Sequence, residues 1–546
     1  MKRWDIIIAG YGPVGATLAI LLGKQGLNVL VLEQANNIFD KPRAIGMDHE
    51  AMRVMQSCGI ADALAEKTRA FRGAQWIGVE GQVIEELDPH PGPFPLGWAP
   101  NFTFIQPQLE SMLRERANDF HNVQIKSGCK LTEINQDEAG ITVEAIDATS
   151  GAVTFEGNYL LACDGASSTV RTKLGIVLED LAFDEWWIVV DAFMKRPTPV
   201  PESGRQFCNP QRPATFIPGP QGLLRWELKV MPHEQPEDFN QPENILRALE
   251  PYVETDALEI WRSAVYRFHA LIADEWRRGR VLLVGDAAHQ TPPFMGQGLC
   301  SGIRDAANLA WKLKMIHQGL ASTALLDTYE AERRPHVTTI ISRTKEIGKK
   351  IGELNVERAR ARDSRMISEM MHAPRPRLRQ SLIPPLDAGL IDSLRSSASG
   401  TLFVQPRVRD TAGAETLLDE CLGDNFILIT TTPQAQQWLG PEESQHWRDI
   451  AGERLVLLGP DRTLTSCTLG KVLQETEPLF QKMAIDHGFS ALIVRPDRTV
   501  YGSAANSEQL CRLVQQLHAQ LTKPQRHTLT IKTRKPNDNF ANAQLG

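Results

Sequence analysis

The residues Gly10-Tyr11-Gly12-Pro13-Val14-Gly15 form a GxGxxG turn. The first glycine permits a tight turn, and the second lets a pyrophosphate approach the backbone. The third, Gly15, lets the following helix pack closely on the preceding strand. The N–H groups of that helix and its partial positive charge suit phosphates. Glu33 lies 18 residues past Gly15, at the end of the next apolar run. An acidic side chain in that place accepts hydrogen bonds from an adenosine ribose. Together these features predict a dinucleotide site, without deciding between FAD and NAD.

Two further segments carry polar residues at the ends of apolar runs. One is Cys163-Asp164-Gly165-Ala166-Ser167-Ser168-Thr169-Val170-Arg171. The other runs from Gly285-Asp286-Ala287-Ala288-His289 through Pro292-Pro293-Phe294-Met295 to Gly296-Gln297-Gly298. A nicotinamide dehydrogenase does not need a second and third cofactor segment so far along the chain. Asp48-His49-Glu50 has metal-ligand residue types, but adjacent residues do not converge on one ion, so a solvated turn and helix start is expected and no metal. His289 reads as a loop residue filling space. Arg358, Arg360, Arg362 and Arg365 read as a solvated helix face.

The elements that must position these residues follow from apolar periodicity. Asp5-Ile6-Ile7-Ile8-Ala9 predicts a buried strand, 16–25 a helix, and Val29-Leu30-Val31-Leu32 a second strand, which makes a βαβ unit. A helix is expected over 108–118, with strands over 124–134, 140–146 and 158–163. Alternating runs between 180 and 270 predict a mostly antiparallel sheet. Val281-Leu282-Leu283-Val284 predicts another buried strand, and 299–318 and 325–372 are helical in pattern. The expected organisation is a Rossmann-like domain over 1–178 and 271–372 with a helical extension, and a β-sheet substrate domain over 179–270. A Pro-, Arg- and Ser-rich linker over 373–400 follows, then an α/β unit over 401–522 and a disordered tail over 523–546.

Composition narrows the class. The chain has 546 residues, 42% hydrophobic and 23% charged, which excludes collagen-like, coiled-coil and wholly disordered proteins. Its 59 Lys and Arg against 66 Asp and Glu leave a net charge of −7, a poor match to nucleic acid. No apolar run reaches the roughly 18 residues of a membrane span. Eight cysteines without a CxxC pair point to a reduced, cytoplasmic protein without structural zinc.

The three motifs in this order resemble those of class A flavoprotein aromatic hydroxylases of the p-hydroxybenzoate hydroxylase fold, over roughly residues 1–370. Pro42-Arg43-Ala44-Ile45-Gly46-Met47-Asp48, Phe104-Ile105-Gln106-Pro107-Gln108 and Trp187-Ile188-Val189-Val190-Asp191 are similar to segments of the 3-(3-hydroxyphenyl)propionate hydroxylase subgroup. The length and a thioredoxin-like tail add to the likeness. The resemblance implies an α/β fold: a Rossmann-like FAD-binding domain, an inserted mostly antiparallel substrate sheet and a C-terminal thioredoxin-like domain. It implies FAD bound by Gly10, Gly12, Pro13, Gly15, Glu33, Arg43, Gln106, Asp164, Asp286, Pro293, Gly296, Gln297 and Gly298. Gln108 is the alternative to Gln106, and Arg171 accompanies Asp164 near the pyrophosphate. Cys300 stands where many relatives carry Asn.

The implied reaction uses NADH or NADPH as co-substrate and O₂. It passes through a C4a-hydroperoxide of FAD and hydroxylates a phenolic compound, a hydroxylated aromatic acid in the first instance, ortho or para to its hydroxyl. Candidate walls for the ring are Trp187, Val189, Phe207, Phe216, Trp226 and Phe294. Candidates near the flavin are Pro293 and the polar Arg212, Tyr266 and His269, with Arg212 suited to a substrate carboxylate; the phenolate base is not identified. No nucleic acid or membrane partner is expected, and a homodimer is left open. A flavin-dependent halogenase and a non-catalytic binding protein on the same scaffold are the alternatives. Glu185-Trp186-Trp187-Ile188 lacks the halogenase motif, and Asp286 with Gly296-Gln297-Gly298 argues against a binding protein.

Overall fold

The computed structural model describes residues 2–89, 91–372, 382–464 and 467–523. Its first sheet runs Arg277–Arg278, Val281–Leu283, Gly151–Ala162, Arg3–Ala9, Val29–Glu33, Val123–Ser127, parallel from Val281–Leu283 to Val123–Ser127. Ile8 sits between Leu161 and Val31, and all three are buried. Strands covered on both faces need such unbroken apolar runs. The first half of Gly151–Ala162 pairs antiparallel with Ile141–Asp147, which with Cys129–Gln136 brings the sheet to eight strands. The stretch expected as one strand over 124–134 is two. Gly128, at φ +69°, divides Val123–Ser127 in the parallel sheet from Cys129–Gln136, which pairs with Ile141–Asp147.

Helix Pro13–Lys24 lies against helix Gly298–His317, which is buried along most of its length. Their approach depends on small residues. A Cβ on Gly302 would come within 2.6 Å of Val14. The helix expected at 108–118 begins two residues earlier, Gln106–Ala117, with Pro107 in its first turn.

The second sheet has eight strands in the order His289–Gln290, Leu258–Ala273, Leu178–Met194, Leu224–Lys229, Ala214–Pro218, Gly204–Phe207, Ala74–Ile77, Val83–Leu87. All neighbours are antiparallel except Gly204–Phe207 with Ala74–Ile77. The sheet therefore draws strands from outside 179–270. A two-stranded hairpin is marginal alone, and Ala74–Leu87 gains its cover by joining this edge. Nothing local in residues 74–87 says which edge that is. On the far side of this hairpin, Arg362 is buried, pairs with Asp363 and donates to the Cys208 and Lys350 carbonyls. It is an anchor and not part of a solvated face; Arg358 and Arg360 pair at the surface with Glu353 and Glu80.

The C-terminal sheet has seven strands. Lys471–Glu475, Glu453–Leu458 and Ile427–Thr430 are parallel, and Ala491–Val494 and Val500–Ala504 continue them antiparallel. Helices Pro441–Asp449, Leu479–His487 and Ser507–Thr522 flank it, in agreement with a thioredoxin-like unit. Of the expected linker, 373–381 lies outside the described residues. Part of the rest is packed: Leu390, Ile391 and Ala398 are buried, and Asp392 N–H donates to the Tyr501 carbonyl. Its Pro and Ser content signals irregular backbone, which is a different property from exposure. The tail expected from 523 lies, from 524 on, outside the described residues.

Buried charges hold this unit to the first domain. Glu332 accepts from Lys312, Asn308 and Arg495, all buried. Arg53 pairs with Asp419 at 2.7 Å.

Candidate active site

The GxGxxG turn leaves the first turn of helix Pro13–Lys24 free of any side-chain cap. A Cβ on Gly12 would meet no atom within 4 Å, so the backbone there faces open space in the wall of a large cavity. Gly10 and Gly15 are glycines for other reasons. Gly10 has φ +96° and a Cβ would sit 2.4 Å from the Cys163 carbonyl oxygen; a Cβ on Gly15 would sit 2.1 Å from that of Gly10. Glu33 accepts from Tyr11 N–H and Ala35 N–H, both at 2.7 Å, and so shapes the turn while its carboxylate also lines the cavity.

The loop Pro42–Gly46 is fixed from two sides. Gln106 Oε1 accepts from the Arg43 and Ala44 N–H groups at 3.1 and 2.7 Å. Its Nε2 donates to Glu110, whose pKa burial pushes up. From the second sheet, Arg225 donates to the Arg43 carbonyl at 2.8 Å and, with Arg262, to the Pro42 carbonyl. Both arginines pair with fully buried Asp191. The Arg43 guanidinium itself is exposed to the cavity, 5.5 Å from the Phe39 ring.

Asp164 lines the cavity, but both oxygens are spent on its own turn, accepting from Ser168 Oγ at 2.6 Å and Val170 N–H at 3.0 Å. Arg171 donates to the Ala166 and Ala287 carbonyls, which ties the two later motifs together. Asp286 is open to the cavity although protein encloses its other sides. That enclosure pushes its carboxyl above the usual range, with His289 and Arg43 pulling it down. His289 is completely buried; its Nε2 is 2.7 Å from Asp305 Oδ2, and its ring stacks on Trp276. Burial pushes the Asp305 carboxyl up, but His289 and Arg333 outweigh that and hold it below the usual range.

Pro293, Gly296 and Gly298 line the cavity, and helix Gly298–His317 starts there without a side-chain cap. Gln297 does not line it. Its side chain is buried between Asp48 and Arg304, because the left-handed Gly296 turns the chain at that point. The Asp48-His49-Glu50 turn is correspondingly not solvated: Asp48 caps helix His49–Ser57, is buried, and pairs with Arg304, as does Glu50. Cys300 is buried, its thiol 3.6 Å from the Gly296 carbonyl.

The cavity encloses about 840 Å³ and continues from this cradle to the second sheet. Val189, Phe216, Phe294, Tyr266 and His269 line it. Trp187, Phe207 and Trp226 do not. Trp187 lies behind Phe294 and Phe268, Phe207 packs on Tyr252, and Trp226 is buried in the apolar cluster with Ile188, Val190 and Leu228. Arg212 is also absent from the wall, since it is held by Glu234 and the Lys229 carbonyl. It cannot receive a substrate carboxylate there. The sequence reading missed Trp76, Gln206, Thr215, Arg225 and Glu227, which all line the cavity. Alternation within each strand could have grouped Arg225 with Glu227, but only strand pairing puts Gln206 and Thr215 beside them.

The site fits FAD on these grounds: an open glycine cradle, two helix starts without side-chain caps, and an uncommitted carboxyl beside them. Residues 3–344 match the family model described as an FAD binding domain. The chain belongs to this family. Residues 400–520 match the HcaD C-terminal domain. The chain is 33% identical over 520 residues to a probable NADH-specific resorcinol 4-hydroxylase of Rhodococcus jostii (strain RHA1), covering 95% of each chain. It is 32% identical to a 3-(3-hydroxy-phenyl)propionate/3-hydroxycinnamic acid hydroxylase of Comamonas testosteroni, covering 95% of this chain and 97% of that one. Among solved structures, the OxyS anhydrotetracycline hydroxylase from Streptomyces rimosus superposes with TM-score 0.75 at 24% identity, over 96% of this chain and all of that one. Aklavinone-11 hydroxylase, in a ternary complex with FAD and aklavinone, gives 0.72 at 21%, over 95% and 99%. These two share the fold. The protein is an FAD-dependent aromatic hydroxylase.

Proposed function

We propose that this enzyme uses NADH or NADPH and O₂ to hydroxylate a phenolic compound ortho or para to its existing hydroxyl. The observation that carries the reading is the single cavity joining the phosphate cradle to a wall of aromatic and polar side chains. The relatives named for resorcinol and for 3-(3-hydroxyphenyl)propionate support a phenol. Their names as hydroxylases weigh against the halogenase alternative. FAD, when bound, supplies acceptance of hydride and activation of O₂, and the chain supplies position and a dry setting.

The Gly12 backbone and the start of helix Pro13–Lys24 would hold the pyrophosphate, Glu33 the adenosine ribose and Asp286 a ribityl hydroxyl. Arg43 would bring positive charge to the phosphate or flavin edge. The start of helix Gly298–His317 would favour negative charge on the flavin. Gln106 acts indirectly, by fixing the backbone that carries Arg43. All eight cysteines are free, which supports a cytoplasmic setting. The test is NADH and NADPH oxidation by the yellow holoenzyme over a panel of phenols and phenolic acids, with product identified by mass. Consumption that is not accelerated by any phenol, or that yields only peroxide, would refute the reading.

A further inference from the structure

The second sheet presents one polar row to the cavity. Gln206 pairs with Thr215, Thr215 with Glu227, and Glu227 with Val189, in register across four neighbouring strands. All four residues line the cavity, and Trp76, opposite Gln206, closes the row. Thr215 Oγ1 donates to Gln206 Oε1 at 2.6 Å, so the Gln206 amide keeps its Nε2 donors. Glu227 is 5% exposed, and no donor among the described residues hydrogen-bonds its carboxyl. A buried carboxyl without a partner is costly in a fold unless a ligand completes it.

The other acidic groups of the wall are differently placed. Asp164, Glu33, Glu110 and Glu202 already accept hydrogen bonds. Asp286 belongs to the cofactor motif. His269 lies 3.7 Å from Asp184, beside Arg267, which pairs with Asp184, and all three are partly exposed. Glu227 alone combines enclosure, an open coordination and a place in the substrate-facing sheet.

We propose that Glu227 is the proton acceptor for the ring hydroxyl of the substrate, with Gln206 donating a hydrogen bond to the same oxygen. The phenolic O–H bond breaks, its electron pair stays on oxygen and enriches the ring, and the proton moves to the Glu227 carboxylate. The proton leaves to solvent on product release. Burial pushes the Glu227 pKa up, and Asp191 adds to the rise while Arg225 opposes it. A carboxyl raised in this way is a better base than an ordinary one. Arg225 and Asp191 are the charged groups that face it; the adjoining positions on the other strands, Thr215 and Val189, are uncharged. The proposal also assigns the hydroxyl, and not an anionic side chain, to this end of the cavity, because two carboxylates there would repel.

The inference rests on the hydroxylase reading above, and the experiment separates the two. Holoenzyme and Glu227→Gln holoenzyme, with flavin occupancy measured by absorbance, are given NADH, O₂ and either resorcinol or 3-(3-hydroxyphenyl)propionate. Failure of the unsubstituted enzyme to hydroxylate either phenol would refute the hydroxylase reading for these phenols and, with it, the proposal. Given wild-type turnover, E227Q is expected to keep FAD and reduction by NADH. Its rate of product formation should fall by about 10²-fold or more, within the roughly 10²–10⁴ range of general-base catalysis, and its product per NADH should fall with it. The fall of wild-type turnover on the acid side should disappear from its pH profile. Glu227→Asp, which keeps the carboxyl, should recover part of the product yield and the acid limb. Wild-type coupling and an unchanged pH profile in E227Q would overturn the proposal. Should E227Q lose flavin, E227D carries the test: an unaltered turnover and profile there would overturn it equally, since a carboxyl one methylene shorter meets the same oxygen less well.

Discussion

Replacing Gly12 with Ala separates cofactor binding from folding. The backbone there has φ −72°, which alanine adopts freely, and the new methyl would meet no atom within 4 Å. Gly12 is the N-cap of helix Pro13–Lys24, where alanine costs about 1 kcal/mol or less relative to glycine. The methyl would instead occupy the face that a pyrophosphate must approach. Losing one hydrogen bond to a charged group costs about 1.5–3 kcal/mol, which is roughly a 10–150-fold rise in the Kd for FAD. Gly15→Ala is the control, because its Cβ would lie 2.1 Å from a backbone oxygen and would attack the fold itself. FAD titration by flavin fluorescence, with thermal melts of both apoproteins, gives the comparison. G12A should melt near the unsubstituted apoprotein and bind FAD weakly; G15A should melt far lower. Native FAD affinity in G12A would refute the cradle, and a G12A melt as low as that of G15A would refute the open space.

Asp286→Ala should leave the fold intact and weaken FAD on the order of 10–100-fold, measured by the same titration. Cys300→Ser should keep FAD and most turnover, because the thiol lies 3.6 Å from the Gly296 carbonyl and a hydroxyl can donate there as well; a fall in kcat beyond about 100-fold at full flavin would contradict this. Asp419 is pushed up by burial, but Arg53 and Arg498 outweigh that and bring its pKa to about 2. Its folded pKa is therefore below the unfolded value, so its contribution is complete above about pH 4 and is lost as pH falls toward about 2, on the order of 2 kcal/mol. Asp419→Asn should flatten that part of the stability curve in urea denaturation at pH 5 to 3. It should also cost about 3–5 kcal/mol at neutral pH, since two buried arginines lose their partner.

Much of the cofactor end was legible because its requirements are local. Gly10, Gly12 and Gly15 answer to backbone geometry within one strand, turn and helix, and Asp164 and Asp286 follow directly on buried strands. The apolar runs at 5–9, 29–32 and 281–284 could be nothing but covered strands, so the parallel sheet followed from them. The antiparallel ribbon beside it, the strand break at Gly128 and the earlier start of helix Gln106–Ala117 shifted boundaries without changing the order of elements.

What faces the cavity from the second sheet was settled only by tertiary structure. In a strand, neighbouring residues point to opposite faces, and which face is covered depends on pairing with strands far away in sequence. Trp226 and Glu227 differ by one position; the tryptophan enters the packed layer and the carboxyl enters the cavity. Composition favoured the tryptophan as a wall. Arg212 looked available because its partner, Glu234, lies 22 residues away in an irregular segment. Gln297 shared a motif with two glycines that line the cavity, yet the turn at Gly296 sends its side chain to Arg304. The sequence by itself determined the type of cofactor cradle, because close backbone approach demands glycine at given spacings. The identity of the residues that meet the substrate was decided by register between distant strands, which no local pattern encodes.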